Sequence, residues 1–359
     1  MIGVRTFFWE GFEMRLSEII KEIEKLRPVE QHRLKEYFIT SLMSSSASEP
    51  VFQEINERKN KEGYTCTHCN SKQVVRFGKY KVKVGKEEVE RQRYRCKDCK
   101  KTFTDVTNTP LYRTHKPHKW IKFIKCMLEG YSLRKSAKLI GGVHFVTLFY
   151  WKHKVLAALK QMDFDTFSGI VEMDETYFLY SEKGKRKIKD RKPRKRGGSS
   201  RFRGISREQI CVLIARDRQK ATYSGVLGRG RLVKSQLDKA IGSKLSPDNT
   251  LCTDAWRAFY TYAKEKGITE HYRFKSDGAE RVRGIYHIQN VNNYHSRLKG
   301  WIQRFNGVAT KYLDHYLSWF QFLDMVKHRS DNGSISKMIV ESCLFPINET
   351  YQSLKTYEY

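Results

Sequence analysis

The chain has 359 residues, with 69 Lys and Arg against 39 Asp and Glu, a formal net charge of +30. That length is enough for two or three domains. The longest stretch without Asp, Glu, Lys or Arg is 13 residues, 139–151, short of the about 20 that a spanning helix needs. Hydrophobic residues at 39% and aromatics at 13% are too many for a disordered polycation. No export signal is expected, because Glu10 and Glu13 follow at once on Phe7-Phe8-Trp9. What remains is a folded cytoplasmic protein with a polyanionic partner, nucleic acid before all others.

The charge is uneven. Residues 1–60 carry 9 basic and 10 acidic side chains, residues 61–160 carry 24 and 7, and residues 161–359 carry 36 and 22. Within the last part, 183–203 holds 12 basic side chains opposed by Asp190 alone. The middle is a concentrated basic module, attached to something closer to balance.

Taken in chain order, Leu16, Ile19, Ile20, Ile23 and Leu26 have helical spacing up to Pro28, and a second helix runs through Leu34, Tyr37 and Phe38. These make residues 1–45 a helical segment, followed by a Ser-rich linker over 44–50. Next come Cys66-x2-Cys69 and Cys96-x2-Cys99. Each pair presents two thiolates from one tight knuckle, and two knuckles complete a tetrahedral four-sulfur zinc site. Residues 74–78 and 80–84 predict a hairpin, with 91–95 leading into the second knuckle. The reading is a ribbon over 60–108 with one structural zinc, since four protein ligands leave no position for water. Disulfides are the alternative, disfavoured in a reducing cytoplasm. Cys126, Cys211, Cys252 and Cys343 read as buried core thiols.

Residues 118–128 form an amphipathic helix through Trp120, Ile121, Phe123, Ile124 and Met127. Ser132 is placed to cap a second helix ending at Ile140. Gly141-Gly142-Val143 makes a turn, and 145–159 is a third helix. Two helices around a short glycine turn give a helix-turn-helix pattern over 115–160, whose last helix would enter the major groove. Its exposed candidates for DNA contact are His144, Thr147, Lys152 and Lys154. A three-helix linker with a basic solvated face is the alternative.

Downstream, 169–178 is an apolar strand carrying Asp174, followed by a basic insertion over 180–205. Strands at 208–216 and 221–227, a helix at 232–241, a strand ending at Asp254, a helix at 256–266 and a strand at 270–274 precede a long helix from about Val291. That order resembles a ribonuclease-H-like domain over 168–330, in which carboxylates on the first and fourth strands lie close together. Asp174 and Asp254 hold those positions, although Asp254 ahead of a helix also reads as a cap. Two such carboxylates suit the hard, oxygen-seeking magnesium ion. A pair of ions about 3.5–4 Å apart serves in-line displacement at phosphorus. By strand alternation Glu172 shares the face of Asp174 and is an auxiliary ligand candidate. On the last helix, Asn292 and Lys299 are two turns apart on one face, with His295 between them.

These pieces carry a family resemblance. The four cysteines, Met173-Asp174-Glu175-Thr176-Tyr177, Thr253-Asp254-Ala255 and the stretch 291–319 resemble bacterial insertion-sequence transposases of the ISXO-like class. That class joins a zinc ribbon, a helix-turn-helix and a DDE-type catalytic domain, so the fold class expected is multidomain α+β. The resemblance implies a DNA transposase that binds terminal inverted repeats and cuts and joins strands. Asp174, Asp254 and Asn292 would bind two magnesium or manganese ions, and Lys299 would contact the end phosphate. Double-stranded DNA, as transposon ends and target, would be the partner. A homodimer or higher oligomer is expected on it, in the bacterial nucleoid. An Asn oxygen ligates without charge, so the second ion would be held more weakly; a decayed copy is the alternative. A regulator without chemistry and a hydrolytic nuclease of the same fold are the competing functions. In the insertion, Lys185, Arg186, Lys187, Arg194, Lys195 and Arg196 are candidates for gripping phosphates, with solvated disorder as the alternative. Residues 331–359 read as a tail.

Overall fold

The computed structural model describes residues 16–31, 48–84, 87–162, 164, 166–188, 191–194, 198–275, 280–327 and 331–357. After α1 (Leu16–Glu24), the second expected amino-terminal helix lies outside these residues. The linker expected over 44–50 does not hold at its end, because Ser48 opens a helix, α2 (Ser48–Lys59). α2 joins the helical core to the ribbon side of the chain. Val51 and Ile55 are buried in a helical core. On another side Asn56 and Asn60 donate to the Asp105 carboxylate and Lys59 donates to the Asp105 carbonyl.

The ribbon consists of β1 (Val74–Val84), β2 (Glu87–Cys96) and β3 (Thr102–Phe103), paired in that order. The hairpin expected inside 74–84 is instead one strand. Gly78 has φ +69 and the register shifts between Arg76 and Lys79, so the glycine makes a bulge that bends the arm rather than a turn that reverses it. The reversal comes after Val84.

Helices α3 (Trp120–Leu128), α4 (Leu133–Ile140) and α5 (Phe145–Leu159) follow. The Ser132 hydroxyl accepts the Lys135 amide at 3.3 Å, an N-cap of the ordinary kind. Gly141 and Gly142 turn the chain at φ +68 and +60, values that β-carbon-bearing residues resist. These helices do not stand alone. α9 (Leu313–Val326) and α10 (Asp331–Leu344) pack against α5, and α10 also meets α2 and α3. The tail expected over 331–359 is therefore core: Ile335, Met338, Ile339, Val340 and Cys343 lie with Phe123, Leu148 and Val155. Each such side chain taken out of water is worth about 1.5–3 kcal/mol. α11 (Tyr351–Thr356) closes the chain.

The second body is a five-stranded sheet ordered β6-β5-β4-β7-β8. β4 (Ile170–Leu179), β5 (Gln209–Asp217) and β6 (Thr222–Arg229) form an antiparallel meander. β7 (Thr250–Asp254) and β8 (His271–Phe274) add in parallel beside β4. The crossovers are α6 (Lys234–Ile241) and α7 (Arg257–Glu265), which cover one face with Leu237, Ile241, Phe259 and Tyr262 against Met173, Leu213 and Ala215. On the other face α8 (Gln289–Gln303) and α9 place Tyr294, Leu298 and Leu317 against Ile210, Val212 and Ile214. Alternate residues of β5 thus serve two cores, as a strand covered on both faces requires. Helix α9 belongs to both bodies. No helix among the described residues is long and apolar enough to cross a membrane.

Candidate active site and metal centres

The two knuckles of the ribbon have the same construction. Cys66 N donates to Ser71 O at 2.8 Å and Cys96 N to Lys101 O at 3.0 Å. The residue after each second cysteine, Asn70 or Lys100, is left-handed at φ +59 or +60. This turns each pair of sulfurs to one side. The sulfurs of Cys66 and Cys99, and those of Cys69 and Cys96, are 3.6 Å apart. A tetrahedral zinc with bonds of about 2.3 Å requires sulfurs about 3.8 Å apart. All four lie within 4.8 Å of one another, so the donor set fits one zinc ion with no position left over. Cys96 is lowered to about 6; burial opposes this, but the amides of Cys99 and Asp98 and the neighbouring thiols outweigh it. The remaining cysteines, 126, 211, 252 and 343, are buried and single. Tyr94 and Phe103 pack behind the knuckles.

A second group of candidate ligands lies in the sheet. β4 and β7 pair from Ile170↔Thr250 to Met173↔Thr253, and there their pairing ends. Asp174 and Asp254 are the next residues on each strand, so the two carboxylates stand where the sheet opens. The structure adds Glu175 to them: one carboxylate oxygen from each of Asp174, Glu175 and Asp254 lies within 4.8 Å of the others. Ligand oxygens around magnesium are about 3 to 4.2 Å apart for bonds of about 2.1 Å, so a modest contraction would close this set on an ion. By strand alternation Glu175 faces the other side from Asp174. Past the end of β7 no strand lies on that side of β4, although β5 still pairs with it on the other, and Glu175 reaches the same opening. The end of the β4–β7 ladder was the signal that could have found it.

The electrostatics are those of crowded, partly buried carboxylates that nearby cations only partly offset. Burial first, then Glu175 and Asp254, push Asp174 up to about 8. Burial and Asp254 push Glu175 up to about 7, and burial raises Asp254. A divalent cation would remove this penalty. Asp254 Oδ1 accepts the Trp256 amide at 2.9 Å, so the capping role and the ligand role are both open to one carboxylate with two oxygens.

Helix α8 covers this opening. His295 Nδ1 is 3.6 Å from Asp174 Oδ2. Burial, then Lys299, lowers His295 to about 4, which keeps it neutral at pH 7. Lys299, one turn further on, lies close enough to favour the charged form of Asp174. Asn292, one turn before His295 on the same face, is exposed.

Glu172 has a different place from the one expected. It is 1% exposed, and its oxygens accept the amides of Asn290 at 2.8 Å and Val291 at 3.1 Å, and the Asn290 side chain at 2.6 Å. Arg218 and His287 lie at 2.9 and 3.3 Å. Both oxygens are taken, so Glu172 is unsuited to ligating metal in this arrangement. It supplies, from the neighbouring strand, the negative charge and acceptors that the amino terminus of α8 lacks.

The DNA-contact candidates separate. His144 caps α5 and is exposed, as is Thr147. Lys154 is half-buried, and burial lowers it. Lys152 corrects the sequence reading: it is 5% exposed and donates to the Tyr316 hydroxyl at 2.7 Å. α5 has no solvent face there because α9 packs on it. In the basic insertion Lys185, Arg186 and Lys187 are exposed, and Lys185 pairs with Glu182 at 2.7 Å. Arg194 is turned inward, donating to Tyr180 O and lying 3.3 Å from Glu208. Lys195 and Arg196 lie outside the described residues. Glu208 also binds Arg201 at 2.6 Å and accepts its amide, so the described part of the insertion is tied down at both ends.

The sequence and fold were compared with known proteins. Residues 166–323 match the model of the ISXO2-like transposase domain. An uncharacterized protein in transposable element ISH50 of Halobacterium salinarum is 27% identical over 291 residues, 79% of this chain and 92% of that protein. Among solved structures, a chain of the simian T-cell lymphotropic virus intasome in complex with PP2A regulatory subunit B56 gamma is 10% identical. It aligns over 58% of this chain and 69% of that one, with a TM-score of 0.27. A chain of a pre-cleavage Mos1 transpososome is also 10% identical over 61% and 77%, with a TM-score of 0.21. Residues 166–323 thus match an ISXO2-like transposase domain, and the chain is similar to a protein of one transposable element.

Proposed function

We propose that the protein is a DNA transposase that binds the terminal inverted repeats of its element and catalyses metal-dependent strand cleavage and strand transfer, its catalytic unit a ribonuclease-H-like fold. The observation that carries this reading is the group Asp174, Glu175 and Asp254 at the opening between β4 and β7, inside the matched domain. Asp174 and Asp254 would hold magnesium or manganese, with Asn292 as third ligand from α8. Two such ions, when bound, supply an activated nucleophile and stabilise the leaving oxygen at phosphorus. An Asn amide brings no charge to the site, and Glu175 offers the third negative charge that it lacks. Lys299 would hold a DNA phosphate, and neutral His295 would orient the Asp174 carboxylate. The ribbon, with its structural zinc on Cys66, Cys69, Cys96 and Cys99, and α4–α5 as a helix-turn-helix presenting His144 and Thr147, would hold the ends.

The test uses purified protein and duplexes carrying the repeats that flank its gene, with magnesium or manganese. Nicked and joined products are expected from the wild type, and neither from Asp174→Asn or Asp254→Asn. Cut ends without joined products would make it a nuclease. Tight, specific binding without cutting would make it a regulator.

A further inference from the structure

A cavity of 1210 Å³ lies between α3–α5 and the loops that follow β4 and α8. Its wall is aromatic, with Phe149, Phe305, Tyr316 and Trp319, and cationic, with Arg134, Lys183, Arg304 and Lys311. Among the described lining residues the one carboxylate is Glu182, already 2.7 Å from Lys185 and 3.8 Å from Arg191.

Lys152 lines this cavity from within the core. A hydroxyl, Tyr316 Oη, is its one hydrogen-bond partner among the described residues. Its ammonium lies 4.7 Å from the centre of the Tyr316 ring and 5.4 Å from that of Phe149. No carboxylate among the described residues pairs with it. Burial, and then Lys183, lower it to about 7; charge on this ammonium is disfavoured there, and an anion beside it would restore it. Arg304 is an exposed cation at the cavity edge. It lies over the rings of Trp301 and Phe305, burial lowers it, and a β-carbon at Gly130 would sit 2.7 Å from its Nη1. The guanidinium is thus packed onto glycine backbone at the cavity wall.

A buried ammonium, an exposed guanidinium at the edge and an aromatic wall are together the complement of one chemical unit, a phosphate joined to a flat base. We propose that this cavity binds a nucleotide, its phosphate toward Lys152 and Arg304 and its base on the aromatic wall. The unit could arrive as a free nucleotide or as an unpaired nucleotide of a DNA strand. From Asp174 to the wall at Tyr180 is six strand residues, about 20 Å, the reach of about six nucleotides of a strand passing the carboxylates. The binding site itself does not depend on the metal reading.

The experiment uses the full chain in buffer without added divalent ions. Deoxyadenosine monophosphate and inorganic phosphate are titrated by calorimetry. In a second arm, end duplexes carry 2-aminopurine at each of the six positions beside the cut, read by fluorescence. Binding of the mononucleotide identifies the free ligand; a fluorescence change at one of the six positions identifies the DNA-borne one. In either case Lys152→Met weakens the signal about tenfold or more, with a melting temperature equal to or above wild type. Arg304→Gln, nearer the surface, does the same should Lys152→Met fold poorly. Asp174→Asn binds as wild type, so loss of transposition leaves the cavity result standing. Phosphate binding as tightly as the mononucleotide, silence in both arms, or wild-type binding by both variants overturns the proposal.

Discussion

The ribbon and the sheet each gather candidate metal ligands, and they do so by opposite means. In the ribbon, all four cysteines come from two short turns of the same design, so local backbone geometry alone sets the donor set. In the sheet, Asp174 and Asp254 meet only because β7 lies parallel beside β4, and the helix opposite them comes from later still in the chain. The first group is closed: four sulfurs, two of them buried, with no room for another ligand. The second is open, half-buried carboxylates carrying mutual repulsion. A closed set stabilises a fold, whereas an open set with unspent charge can take a metal and a substrate together.

The largest expected effect is on the closed site. Removing zinc should withdraw about 10–16 kcal/mol of apparent binding energy from the ribbon. Elemental analysis should find one zinc per chain, and chelation should abolish hydrogen-exchange protection in β1–β3 while the sheet keeps its own. A metal-free ribbon that stays protected would erase the distinction between the two centres.

Next in size is the open site. Asp174→Asn or Asp254→Asn should cost on the order of 10²–10³-fold in strand cleavage, the scale for losing one preorganised charge-stabilising group. Neither variant should lower the melting temperature, because each relieves like-charge repulsion. Unfolding instead of inactivity would make these carboxylates structural, like the cysteines.

Glu172→Gln comes third. Losing the charge under Arg218 and the α8 amides should destabilise the protein by about 1–3 kcal/mol, measured by thermal melting, without changing metal binding. A change in metal affinity with no change in stability would return Glu172 to the ligand set.

The smallest effect concerns the insertion beside the sheet. Hydrogen bonds from the Arg201 amide and side chain hold Glu208 down to about 2. A depressed carboxylate contributes stability that is present above its unfolded value of about 4.3 and lost as pH falls toward 2. Protease nicking within 198–207 should therefore rise between about pH 4 and pH 2 in the wild type. Glu208→Gln should be nicked readily at pH 7. Unchanged nicking would free the insertion from this anchor.

Much of the architecture was legible in the sequence where one element reports on itself. Ser132 and the glycine pair mark a cap and a turn by local chemistry, and 145–159 matches α5 to the residue. The strand–helix order of the sheet followed from alternation and breakers. What was illegible depended on a distant neighbour. Nothing near Lys152 reveals that α9 covers it, and nothing near Glu172 reveals that α8 begins against it. Residues 331–344 present a helix whose apolar positions mean little until α2, α3 and α5 surround them. In the candidate site, Asp174 and Asp254 could be paired from element order. Glu175 required knowing where a ladder stops.

The interrupted path of the helical body bears on how the chain is born. Its first helices leave the ribosome by residue 159, but their partners α9 and α10 end at 326 and 344. At about 5–20 residues per second, the intervening synthesis takes on the order of ten to forty seconds. Through that interval the apolar faces of α3 and α5 stand uncovered, while the sheet between them gains its strands in order. The last part to mature is the one nearest the beginning. A message cut short before α10 would yield a sheet able to form and a helical half without its core, a product suited to chaperones and proteases rather than to work on DNA.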